Sequence, residues 1–495
     1  LADTFTPADC DRLLALLVDS DVAVRRAALK LAGQAACPDH WPAVVAAVGD
    51  RAVRHAAAGA LTAGGEASLP ALAATWSATG TADENLSALA MVCGHIGGPE
   101  AIQLLLAHSN HPSDSVRLAV LAGLAQAGYV AAPGAPADAV RRQLRQEVEH
   151  AAWQLAGLRD SESVTELEYL SHVLNAAFDE SRRRLLLLAS FVADRDALTQ
   201  ARNVLLPAGE KLGDDARHAY ALELLELRLP ADLKGLVMPL FEDLSVGDRL
   251  QRLGALAAWP RLSPEQCVIV LARGDGYRNR WLHISVLHAV GQLCRPDDEL
   301  TALLDDAQHS ADPIRRETAV WAAARLAAET EAASAPGERQ VLSTIEKVII
   351  LKDVELFAET PDELLAEIAG LLMEVEVAPG EPVFAKGDVG DSLYVIVSGQ
   401  VRVHDGGMTI NRLGESEVFG EMALLDTETR MAAVTAESET LLLRLDQDAF
   451  YELMDTRSEV ARGIIRVLSA RLRRRVAEVA ALRDQVVAHE MSGAA

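Results

Sequence analysis

LLALLVDSDVAVRRAALKLAGQA, residues Leu13 to Ala35, reads as two helices joined by a short turn that carries Asp19 and Asp21. Apolar residues recur at spacings of three and four on both sides of the turn, so each half has one stripe to bury. The order returns at VVAAVGDRAVRHAAAGALTAGG (44–65), LLLAHSNHPSDSVRLAVLAGLAQAG (104–128) and LLDDAQHSADPIRRETAVWAAARLA (303–327). The pairs Val24-Arg25, Val53-Arg54, Val116-Arg117 and Ile314-Arg315 mark the same point of each copy. The first three fit a period of about 30 residues, with room for a degenerate unit near Asn85, and such a period means stacked helical pairs. Each pair has an apolar side too large to leave in water, and stacking buries it against the next pair.

This organisation resembles HEAT repeats, in the short HEAT-like form named after phycobilisome lyases. The resemblance implies an α-solenoid that offers a surface to a protein partner. The recurring Arg25, Arg54, Arg117 and Arg315 are expected to bond turn acids or carbonyls and to be structural, with ligand binding as the alternative. From Ala137 to about Leu244 the Val-Arg signature fades, but helical periodicity persists in longer helices. The run Arg182, Arg183, Arg184 is read there as a solvated face, with an acidic partner as the alternative.

Composition agrees with a mainly α protein: half the residues are hydrophobic and only 4% are aromatic. The formal charge of −26 argues against broad contact with nucleic-acid phosphates. Cys10, Cys37, Cys93, Cys267 and Cys294 are far apart with no CxxC pair, which fits buried thiols in a reducing, cytoplasmic setting. No apolar run reaches about 18 residues, and no signal peptide is visible. The chain starts at Leu1, which leaves open a membrane region ahead of it.

Beyond the polar stretch TEAASAPGERQ (330–340) the pattern changes to short alternating segments. MEVEVA, PVFA, SLYVIVSG, QVRVH and MTINRL are separated by Gly380, Gly387, Gly390, Gly399 and Gly406-Gly407, as in a small jelly-roll-like barrel. The expected domains are therefore a helical array over 1–329, a linker over 330–342, a β domain over 343–456 and a last helix over 457–490.

VFGEMALLDTETRMAAV (418–434) carries the chemistry. Gly420 lets backbone approach a ligand, and a helix opening near Met422 and Ala423 would aim N–H groups at an anion. Arg430 can fork onto a phosphate, while Glu421 can accept from a sugar hydroxyl. The segment resembles the phosphate-binding cassette of cyclic nucleotide-binding domains, the barrel shared by catabolite activators and protein kinase A regulatory subunits. Phe419, Gly420, Glu421, Ala423, Leu424, Arg430 and Ala432 match its pattern, and KGDVGDSLYVIVSGQV matches its glycine spacing. Thr429 stands for the usual proline and Ala433 for the usual hydroxyl residue. The resemblance implies a ligand site at Phe419, Gly420, Glu421, Met422, Ala423, Arg430, Met431 and Ala432. Met431, where cGMP-preferring members carry threonine, tilts the expectation to cAMP over cGMP.

RSEVARGIIRVLSARLRRRVAEVAALRDQVVAH (457–489) presents Val460, Ile464, Leu468, Leu472, Val476, Val479, Leu482 and Val486 along one stripe, suited to a homodimer. Its basic cluster, Arg471 to Arg475, is read as a solvated face, with an acidic membrane or nucleic acid as the alternative. About twenty residues follow Arg475, too few for the winged helix of catabolite activators, so no DNA partner is expected.

No nucleophile elbow, Walker A loop, HExxH or Rossmann fingerprint is present, and His108 with His111 lacks further metal ligands. The expectation is a non-enzymatic protein without cofactor or metal, in which a cyclic nucleotide acts on a helical scaffold. The combination is similar to the cytosolic regions of ATP/ADP-exchange-like transporters, which implies the cytosolic face of a membrane. The alternative is an interaction scaffold whose barrel binds nothing.

Overall fold

The computed structural model describes residues 7–35, 37–78, 80–206, 215–274, 279–295, 298–330, 341–358, 360–421 and 429–456. The chain divides into two compact units, 1–304 and 305–495. The fourth repeat-like copy, 303–327, spans the division, so helix Pro313–Thr330 groups with the β domain. Of the expected linker, 331–340 lie outside the described residues, as does the expected C-terminal helix from 457 onward.

The first unit is built from α1 (Pro7–Leu17), α2 (Val22–Ala32), α3 (Trp41–Ala46), α4 (Arg54–Gly64), α5 (Leu69–Trp76), α6 (Asp83–Ile96), α7 (Gly98–Ala107) and α8 (Asp114–Gln126). Successive helices pair as α1–α2, α3–α4, α5–α6 and α7–α8. Odd helices then stack on odd ones and even on even: α1–α3–α5–α7 form one layer, and α2–α4–α6–α8 the other. Small residues allow the close approach. A Cβ on Gly94 of α6 would lie 2.6 Å from the Cα of Gly123 on α8, and one on Gly33 would lie 2.9 Å from the Cα of Ala60.

The recurring arginines pin this stack. Arg25 donates from Nη1 to the carbonyls of Asp19 (2.7 Å) and Ser20 (3.1 Å) in its own turn, and from Nη2 to Asp50 Oδ2 (2.9 Å) in the next. Arg54 repeats the scheme, donating from Nε to the carbonyl of Val48 (2.7 Å) and from Nη2 to Asn85 Oδ1 (3.2 Å), with Glu84 paired to Nη1. A buried turn carbonyl without a donor is costly, so Arg25 and Arg54 each close their own turn and tie it to the next.

The longer helices α9 (Ala135–Ser161) and α10 (Glu168–Ser190) follow, packed on each other, with α10 also on α8. Here one expectation is corrected: Arg182–Arg184 is not a solvated face. Arg184 is fully buried, bonded from Nε to Glu147 Oε1 (2.9 Å) and from Nη2 to Ser181 Oγ (2.9 Å). Arg182 lies over the Phe241 ring at 4.8 Å and bonds Asp179 at 2.9 Å. The acidic groups that these cations need come from Asp114 of α8, Glu147 of α9 and Asp179 and Glu180 of α10, so the run is buried in the second half of α10 instead of opening a helix at the surface.

The cysteine expectation also changes. Cys10 and Cys37 form a disulfide, because α1 and the loop after α2 bring their Cα atoms to 6.0 Å. Cys93, Cys267 and Cys294 are buried thiols, each pushed up to about 12 by burial. Cysteine usage thus no longer argues for a reducing compartment. Among the described residues no helix is long and apolar enough to cross a membrane.

In the second unit, helix Thr344–Asp353 begins at a Ser343/Glu346 capping box and packs on helix Asp362–Ala369. Eight strands follow: β1 (Met373–Val377), β2 (Pro382–Phe384), β3 (Ser392–Ser398), β4 (Val401–Asp405), β5 (Met408–Leu413), β6 (Val418–Phe419), β7 (Ala433–Ala436) and β8 (Thr440–Asp446). They form two antiparallel sheets, ordered β1-β8-β3-β6 and β2-β7-β4-β5. The core between them contains Val377, Tyr394, Ile396, Val401, Phe419, Val434, Ala436 and Leu442. Alternation along each strand puts these side chains on the inner faces.

Candidate functional site

The site lies at one end of this sandwich. The glycine-punctuated turn KGDVGD places it: Gly387 has φ 91°, and its N–H donates to the carbonyl of Arg430 at 2.8 Å. The Arg430 N–H in turn donates to the carbonyl of Asp388 at 2.8 Å, and Val389 bridges Thr429. Two main-chain bonds and a bridge therefore fix the backbone at position 430. Thr429 holds that bridge in place of the proline of the resembling pattern.

The Arg430 side chain is 8% exposed. Nη2 donates to the main-chain oxygen of Ser392 at 2.7 Å and to its hydroxyl at 3.3 Å, and Nη1 reaches the carbonyl of Gly420 at 3.4 Å. The guanidinium lies over the Phe384 ring, 4.2 Å from its centroid. Beneath it Phe384, Tyr394 and Phe419 cluster, with the Tyr394 and Phe419 rings stacked at 5.2 Å. Burial lowers the arginine's affinity for its proton, only partly offset by Tyr394 and Asp391. A guanidinium stays charged through such a shift, so the site holds a fixed, partly desolvated cation.

Gly420 has φ 78°, and a Cβ there would lie 2.6 Å from Arg430 Nη1 and 2.9 Å from the carbonyl oxygen of Ser392. Only glycine fits between the arginine and the strand that anchors it. A cavity of about 360 Å³ opens here, within the size range of small-ligand pockets. Six of the eight residues expected from the sequence line it: Phe419, Gly420, Glu421, Arg430, Met431 and Ala432. Met422 and Ala423 lie outside the described residues. Among the described residues, Phe384, Val403, Asn411, Leu413, Val418, Thr429 and Val434 also line it.

Of these wall residues, Thr429 is singled out in the sequence and Val418 and Val434 bound the quoted stretch, whereas Phe384, Val403, Asn411, Leu413 and the anchoring Ser392 are not. The signal was present: Val403 pairs with both Asn411 and Val434 across neighbouring strands, and alternation puts such a row on one face. The arrangement combines a buried cation, a carboxylate at Glu421 and an apolar wall. It can hold an anionic group and a hydroxyl-bearing group side by side.

Residues 374–457 match the family model described as Cyclic nucleotide-binding domain. The chain is 32% identical over 132 residues to a CRP-like cAMP-activated global transcriptional regulator of Mycobacterium tuberculosis, covering 25% of this chain and 58% of that protein. It is 40% identical over 99 residues to the Cyclic AMP receptor protein of Thermus thermophilus, covering 19% and 46%. With the cAMP-dependent protein kinase type II regulatory subunit of Drosophila melanogaster it shares 35% over 104 residues, covering 21% and 28%. The chain thus spans less than two thirds of the length of these relatives. Among solved structures, the N-terminal domain of a transcriptional regulator from Streptomyces coelicolor is 35% identical over 25% of this chain and 93% of its own, with a TM-score of 0.25. The matched region, 374–457, includes every described residue that lines the cavity.

Proposed function

We propose that the β domain binds a cyclic nucleotide, cAMP in preference to cGMP, and that the protein is regulatory rather than an enzyme. The phosphate sits at Arg430 and a ribose hydroxyl at Glu421, with the apolar wall of Val403, Leu413 and Phe384 left for the base. The observation that carries this reading is the Arg430 guanidinium, nearly buried yet hydrogen-bonded, among the described residues, to carbonyls and a hydroxyl rather than to a carboxylate. An anionic ligand would supply that charge. The names of the relatives, activators and kinase regulatory subunits that respond to cAMP, support the ligand class.

The output is proposed to run through the helical array, read as HEAT-like repeats that engage a protein partner, with a membrane transporter as the partner class. Ligand binding shifts a conformational equilibrium of the β domain, and the array or its partner responds to the favoured state. Calorimetric titration of the full chain with cAMP and cGMP tests the reading. Saturable binding, tighter for cAMP, is expected; no binding of either at millimolar ligand would replace it with an interaction scaffold whose barrel is structural.

A further inference from the structure

The first unit holds a second cavity, of about 280 Å³, at the junction of α8, α9 and α10. Arg117, Glu147, His150 and Arg184 line it together with Ser109, Asn110, Gln143 and Gln146, and Leu121 and Leu188 form its apolar wall. The charged part is a buried quartet. Glu147 accepts from Arg184 at 2.9 Å and faces Arg117 at 3.9 Å, while Asp114 pairs with Arg117 and lies 3.7 Å from Arg184.

Burying four charges is an expensive way to join three helices, since apolar packing would do so at lower cost. The quartet borders a cavity with amide and hydroxyl groups at its rim, which suits recognition better than stability. Donors are in surplus. Each guanidinium has five N–H groups against the two carboxylates of Glu147 and Asp114, of which Asp114 Oδ2 is itself buried without a hydrogen bond and 3.7 Å from Arg184. Arg184 Nη1 is buried without a hydrogen-bond acceptor and makes only a loose ion pair, 3.7 Å, to Glu180.

We propose that this cavity is a second ligand site, which takes a compact oxyanion, a phosphate or carboxylate, on Arg184 and Arg117. His150 supplies the compensating proton. Burial holds its imidazole below the usual value, against Glu147 and Asp114, which favour the charged form, and with Arg184 and Arg117, which oppose it. It is therefore largely neutral at pH 7, and a bound anion would draw a proton onto it.

The test uses the full chain carrying Arg430→Ala, which removes the other anion site. Inorganic phosphate and succinate are titrated calorimetrically in two buffers of different ionisation heat, which separates the two sources of oxyanion. Expected are saturable binding of at least one probe and net proton uptake at pH 7, the uptake disappearing in His150→Gln. Gln146→Glu at the exposed rim should weaken binding about tenfold by repulsion, and Leu188→Phe should weaken it by filling the cavity. No saturable binding of either probe up to about 10 mM, or equal affinity in both variants and the parent, overturns the proposal.

Discussion

Arg430 donates from Nη2 to the main-chain oxygen of Ser392 at 2.7 Å, and the Ser392 hydroxyl lies 3.3 Å from the same nitrogen and 3.0 Å from Asp391 Oδ1. The residue that carries the charge is thus aimed by a strand residue 38 positions earlier. Ser392→Ala keeps the carbonyl contact but removes the hydroxyl; a hydrogen bond to a charged group is worth about 1.5–3 kcal/mol at good geometry, and the long 3.3 Å contact here about 1 kcal/mol. About fivefold weaker cAMP binding is expected by fluorescence titration, with little change in melting temperature.

Gly420→Ala should do more. The backbone there requires positive φ, and the added methyl meets both the Arg430 guanidinium and the Ser392 carbonyl. The strain of a left-handed alanine is about 1–2 kcal/mol before any clash is counted. Loss of cAMP affinity of tenfold or more is expected, along with a lowered melting temperature of the β domain. Unchanged affinity would show that Arg430 is not where the phosphate binds.

The buried quartet in the first unit makes stability depend on pH. Burial opposes the charge on Glu147, but Arg184 and Arg117 outweigh it and hold the carboxyl below its ordinary 4.5. A depressed carboxyl contributes stability that is present above about pH 4.5 and lost as pH falls through the folded value. His40 and His150 are pushed below 6.5 by burial, so proton uptake by the unfolded chain already lowers stability as pH drops through that value. Thermal melts of the full chain should therefore weaken first below about pH 6.5 and again below about pH 4.5. Arg184→Met leaves two carboxylates sharing one cation and should cost about 3–5 kcal/mol at pH 7.

The arginine ladder predicts a smaller and local effect. Arg54→Ala removes the donor to the carbonyl of Val48 and the link to Glu84 and Asn85. A loss of about 1–2 kcal/mol is expected, read by chemical denaturation. Amide exchange should speed up at residues 48–54 and 83–86 and stay unchanged in the β domain. Arg54→Lys should restore little, since an ammonium cannot reach three acceptors in these directions.

Much of this architecture is legible from spacing. Repeated apolar stripes with a Val-Arg step mark α2, α4 and α8, and the first five strands fall within a residue or two of the alternating segments. Strands β7 and β8 are harder to see. AVTA straddles the end of the cassette, and TLLLRLD has continuous rather than alternating apolar character, because β8 is central in its sheet and largely buried along its length. The cassette residues are adjacent in sequence and so can be read from it. Asn411 and Val403 reach the cavity, and Ser392 reaches Arg430, only through strand pairing, whose register no single segment encodes. Arg184 shows the opposite limit: RRRLLLL has the composition of a solvated start, and the carboxylates of Glu147 and Asp114, distant in sequence, join the nearby Glu180 and Ser181 in making burial tolerable.

The central claim is that Arg430 receives the phosphate of a cyclic nucleotide. Calorimetric titration of cAMP into wild type and Arg430→Ala, both checked for an intact melting transition, measures it directly. Removing a charge-assisted contact worth about 1.5–3 kcal/mol should weaken binding by roughly 10- to 100-fold. Equal affinity of the two proteins for cAMP would contradict the account.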